Sequence, residues 1–105
     1  MIIVEKNEGQ KIKYKVNGSA ICFDGKLAVN CAEHQQDWDV HIDVCADADG
    51  NLVIGTEAGR AYVAEIDIPA RAYEQGEPSG EDDQPPMMAL PLDMDAVKLS
   101  LWAVE

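Results

Sequence analysis

From Asp37 to Ala46 the chain reads DWDVHIDVCA, and apolar and polar residues alternate along it. Trp38, Val40, Ile42, Val44 and Ala46 fall on one face; Asp37, Asp39, His41, Asp43 and Cys45 fall on the other. A period of two belongs to a strand with one buried and one solvated face, and a helix cannot use it. The same period recurs in KIKYKV, where Ile12, Tyr14 and Val16 oppose Lys11, Lys13 and Lys15. It returns in RAYVAEIDIPA, which predicts Tyr62, Ala64, Ile66 and Ile68 inward with Glu65 and Asp67 outward. In the last stretch, Val97, Leu99, Leu101 and Ala103 alternate with Lys98, Ser100, Trp102 and Val104. AEHQQ, residues 32–36, has room for one helical turn and no more.

Tight turns punctuate these runs. IIVEKNEGQKIKYKV reads as a hairpin with Asn7 to Gln10 as its loop. AICFDGKLAVN reads as a second, because Asp24-Gly25 supplies the positive φ angles of a type I′ turn. Between Glu74 and Pro86 the sequence EQGEPSGEDDQPP has no apolar residue and is expected to be a mobile acidic loop. The expectation is one all-β domain over residues 1–105: a small antiparallel β-sandwich or barrel of about seven short strands. The acidic loop at 74–86 leads into a closing strand at 97–104, which must add itself to an earlier sheet.

CADADGNLVIG, residues 45–55, raises the question of a calcium loop. With Gly50 at the sixth position of an EF-hand, Cys45 takes the first and Thr56 the twelfth. A thiol is a poor calcium ligand and threonine cannot replace a bidentate glutamate, so a hairpin turn is the better reading. Cys31, His34, His41 and Cys45 imitate a zinc set, but residues four apart on a strand are ~13 Å apart, too far for one ion. Cys45, His41 and Asp43 share a strand face at ~7 Å spacing, beyond the ~3 Å reach a nucleophile needs of its base. No catalytic residue, cofactor or metal is expected from these patterns, and the chain reads as non-enzymatic.

The net charge is −12 and it is unevenly spread. Residues 1–26 carry +2, while residues 27–105 carry −14. Such a surface repels nucleic acid and anionic lipid and suits solubility or a basic protein partner. No apolar run approaches the ~20 residues of a membrane span. MIIVEK lacks a basic leader and a cleavage site, so a bacterial cytoplasmic location is expected. The three cysteines, Cys22, Cys31 and Cys45, are odd in number and are expected to be reduced.

EIDIPARAYEQGE, an acidic linker, then PLDMDAVKLSLWAVE resembles small prophage-encoded proteins of anaerobic and gut bacteria, over roughly residues 60–105. That resemblance implies a phage structural or tail-region setting and incorporation into a virion, and it brings no biochemical activity or catalytic residue with it. The expected function is protein–protein contact in virion or tail assembly, with a phage subunit or a second copy as partner. Trp102 and Val104 on the closing strand, the loop residues Glu81, Asp82 and Asp83, and Asp39 and Asp43 on the acidic face are the candidate contact residues. The alternative is an acidic inhibitor whose carboxylates copy DNA phosphates and occupy a basic, nucleic-acid-handling host protein.

Overall fold

The computed structural model describes residues 1–75 and 87–104. The expected 74–86 loop therefore lies mainly outside the described residues, as do Glu81, Asp82 and Asp83. The described chain is all-β. In order it forms β1 (Ile2–Glu5), β2 (Tyr14–Asn17), β3 (Ala20–Phe23) and β4 (Leu27–Asn30), then the single helical turn α1 (Cys31–His34). β5 (Val40–Ala46), β6 (Leu52–Ile54), β7 (Ala61–Ile68), β8 (Tyr73–Gln75) and β9 (Met87–Ala89) follow. A 3-10 turn at Met94–Ala96 leads into β10 (Lys98–Leu101).

Five strands make one sheet in the order β1-β10-β7-β5-β6, and β2-β3-β4 make a second. The larger sheet is open at β1 and β6, so the fold is not a closed barrel. One core joins the two sheets: Ile21, Phe23 and Val29 of the smaller meet Ile42, Val44, Ala64, Ile66, Ile68, Leu99 and Leu101 of the larger. The alternation along β5 and β7 predicts which of these point inward, and burial of such side chains is worth about 1.5–3 kcal/mol each. The Asp24-Gly25 turn forms as expected, with φ of 52° and 65° and a 2.9 Å bond from Lys26 N to Phe23 O. Asn30 caps α1, its side chain accepting from Ala32 N and Glu33 N.

The N-terminal hairpin does not form. β1 runs parallel to β10, placing Ile3 beside Leu99, and β2 belongs to the other sheet. Gly9, at φ 126°, and Asn7, whose side chain accepts from Ala103 N at 2.7 Å, carry the segment along the chain end instead. Parallel neighbours need a long crossover, and here almost the whole chain supplies it.

The face assignment of β7 also changes part-way. Val44 pairs with Ala64 but Cys45 pairs with Tyr62, so Val63 is an extra residue opposite one partner. This β-bulge swings Tyr62, expected inward, onto the polar face, while Val63 is buried. Cys45 lies on that polar face yet is buried, because the backbone of Gly59 passes over it; a Cβ on Gly59 would lie 2.5 Å from the Cys45 Cβ. Trp38, expected in the core, precedes β5 and is 64% exposed.

β10 stops at Leu101, short of the expected closing strand at 97–104. Trp102 N donates to the bulge carbonyl of Val63 at 3.0 Å, Ala103 bridges to Lys11, and Val104 N reaches Gln10 O at 2.7 Å. The chain end thus leaves the ladder for the 10–11 segment. Residues 74 and 75, expected to open the acidic loop, lie in a strand instead: Tyr73–Gln75 pairs with Met87–Ala89 as a separate two-stranded arm.

Candidate functional site

The polar face of the larger sheet gathers side chains from three strands. On β5 and β7, His41 stands opposite Asp67, and Asp43 opposite Glu65. Glu65 in turn faces Ser100 of β10. His41 Nδ1 lies 2.6 Å from Asp67 Oδ1, and Nε2 lies 2.7 Å from Asp43 Oδ1 and 3.4 Å from Glu65 Oε1. The other oxygen of Glu65, Oε2, accepts the indole N–H of Trp102 at 2.7 Å. Trp102 stacks on Tyr62 with ring centroids 5.9 Å apart. The bulge makes this stack, since only the extra Val63 brings Tyr62 to the polar side.

A neutral imidazole donates from one nitrogen only. Here both nitrogens face carboxylate oxygens, which the imidazolium satisfies and the neutral ring does not. The hydrogen bond to Asp67 does most to raise the His41 pKa; burial opposes it, and the hydrogen bond to Asp43 and both negative charges add to the rise. The charges facing the ring come from β5 (Asp43) and β7 (Glu65, Asp67); Lys98 of β10 pairs with Asp67 in the ladder without an ion pair to it.

The raised pKa makes stability depend on pH, for protein in chelated buffer. A histidine whose folded pKa is raised stabilises the fold fully below the unfolded value, near 6.5, and loses that contribution as pH rises through the folded value. The stability of wild type relative to His41→Asn is therefore expected to be greatest near pH 6 and to shrink by pH 8.5, in urea denaturation across that range. A difference that is flat or grows with pH would contradict the imidazolium. The ring is 46% exposed, so screening keeps the effect small.

Cys45 sits beside the cluster, and burial, with the charges of Asp43 and Glu65, raises its thiol pKa. A thiol held in its neutral form is a poor nucleophile. Cys31, also buried, is raised by desolvation. On the smaller sheet an open groove of about 640 Å³ runs past Ile12, Tyr14, Lys15 and Cys22, away from these groups.

The expected contact residues that lie among the described ones, Trp102, Val104, Asp39 and Asp43, are dispersed. Trp102 is half-buried and engaged through both its ring and its N–H, so it is not a free apolar anchor. Val104 packs against the margin of the core. Asp39 accepts from Ala70 N at 2.9 Å, tying the start of β5 to the end of β7. Of the expected carboxylates among the described residues, Asp43 is linked to Trp102, by way of His41 and Glu65, and Asp39 is not. Asp37, at the far end, accepts from Arg71 and from the Tyr73 hydroxyl, which anchors the root of the β8–β9 arm.

The ~7 Å strand spacing predicts that Cys45, His41 and Asp43 stay apart; His41 and Asp43 touch, and no hydrogen bond joins His41 to Cys45. The spacing holds for Cβ positions, but an imidazole and a carboxylate that lean toward each other close the gap. The signal was present in HID and EID, two short acidic patterns whose strands pair antiparallel. Comparison with protein-family models, with curated proteins and with solved structures finds no match.

Proposed function

We propose that this chain is a non-enzymatic protein that works by protein–protein contact, in phage virion or tail assembly as the resemblance of residues 60–105 implies. The observation that carries the contact reading is the β8–β9 arm. All six of its residues are exposed, among them Tyr73 at 43%, Met87 at 60% and Met88 at 55%. Two strands alone are marginally stable in water, so an arm of this kind gains most when a partner covers it. Methionine suits such a surface because its flexible thioether adapts to the opposing shape. Tyr73 and Met87 share one face of the arm, and Met88 lies on the other with Glu74.

The inhibitor reading finds less support. Asp37, Asp39, Asp43, Glu65 and Asp67 all accept hydrogen bonds or ion pairs from within the chain, which leaves them poorly placed to imitate free phosphates.

Light scattering coupled to size exclusion tests the contact reading, on wild type and on Met87→Asp/Met88→Asp, alone and with the product of the adjacent gene. The expected result is an assembly that persists at high salt, because apolar contacts are not screened, and that the double substitution weakens at least tenfold. A monomer that binds nothing, or an assembly indifferent to the substitution, would remove the arm as the contact element.

A further inference from the structure

We infer that His41, Asp43 and Glu65 form a binding site for a divalent first-row transition ion, such as Zn²⁺ or Co²⁺, on the polar face of the larger sheet. The inference stands apart from the contact reading. His41 Nε2, a carboxylate oxygen of Asp43 and one of Glu65 all lie within 4.8 Å of one another. Around a tetrahedral ion with bonds of about 2.0 Å, ligand atoms stand about 3.3 Å apart. The 2.7 Å and 3.4 Å separations from Nε2 bracket that value, and the Asp43 and Glu65 oxygens stand within 4.8 Å of each other.

The surroundings are those of a ligand set, beyond a group of like charges. Asp67 holds His41 by Nδ1, which turns Nε2 toward the other two donors; a carboxylate on the far nitrogen is the usual support for a metal-bound imidazole. The Trp102 indole holds Glu65 by Oε2, which leaves Oε1 on the His41 side. Asp43 and Glu65 sit directly opposite each other, with side chains only 23% and 18% exposed. Like charges in that position destabilise a sheet. Among the described residues no lysine or arginine makes an ion pair with Asp43, Glu65 or Asp67, so a half-exposed histidine is their one cationic partner. A divalent cation answers that excess better than one proton does. On binding, the ion takes the Nε2 lone pair and the proton there leaves to solvent.

The donor types choose the ion. Calcium and magnesium prefer oxygen throughout, whereas an imidazole with carboxylates suits the borderline transition ions. Three protein donors leave coordination positions for water, and the exposed His41 edge opens toward it. A bound ion would clip β5 to β7 beside the bulge.

The test is isothermal titration of tag-free, chelator-treated protein with ZnCl₂ at pH 7.5, on a Cys22→Ser background that removes the one thiol that is not buried. One saturable site of stoichiometry one is expected, with a dissociation constant in the micromolar range. His41→Asn and Glu65→Gln should each weaken it at least tenfold. Asp47→Asn, in the β5–β6 turn, should leave it unchanged. Circular dichroism confirms folding, and ¹H–¹⁵N spectra of the wild-type imidazoles give a second readout: Zn²⁺ should shift His41 and spare His34. Absence of saturable binding, binding that survives His41→Asn in folded protein, or a shift at His34 alone would overturn the site.

Discussion

Phe23→Ala is expected to lower the free energy of unfolding by about 3–5 kcal/mol. Phe23 is the largest fully buried side chain of the described chain and is 0% exposed. It closes β3 just before the Asp24-Gly25 turn and belongs to the core cluster that joins the two sheets. Removing the ring forfeits its transfer free energy and leaves a cavity between layers that cannot both collapse onto it. Domains of this size hold about 5–15 kcal/mol in total, so the loss is a large fraction. Urea denaturation at pH 7 measures it directly. A midpoint that barely moves would mean that the smaller sheet does not rest on the larger one.

Gly9→Ala should cost about 2–5 kcal/mol, since backbone strain and overpacking coincide there. Gly9 has φ of 126°, a region that side-chain-bearing residues rarely enter, and a Cβ there would lie 2.8 Å from the Ala103 Cβ. Both effects fall on the segment that ties the chain end to the 10–11 stretch through Lys11 and Gln10. Gly18 is the control. Its φ is 60° and nothing lies within 4 Å of where a methyl would stand, so Gly18→Ala meets the conformational cost alone. That cost is about 1–2 kcal/mol. Equal midpoints for the two variants, by urea or heat, would show that the contact with Ala103 adds nothing.

Local features of the fold were legible because their causes are local. Asp24-Gly25 makes its turn wherever the flanking strands lie, since the positive φ values belong to those residues. Asp47 bonds Asp49 N and Asn51 N in its own turn, each at 2.9 Å, and so the residues that imitate a calcium loop are occupied as a hairpin connection. Ile42 and Val44 point inward as their alternation requires. The N-terminal pairing was not legible, because Ile2–Glu5 has an apolar pattern that suits any open edge. β10, nearly a hundred positions later, offered the better one. The site was half legible: acidic residues on one face of β5 and β7 follow from period two, but their convergence on His41 does not.

By itself, the sequence determined an all-β chain with acidic outward faces and an apolar interior, because alternation and turn chemistry act between near neighbours. Tertiary structure decided three things: that β1 lies beside β10, that Tyr62 faces Trp102, and that the charges of two strands meet around one imidazole. Each depends on the register between strands distant in sequence, and a single extra residue such as Val63 reverses a side chain's face without altering the pattern from which it is read.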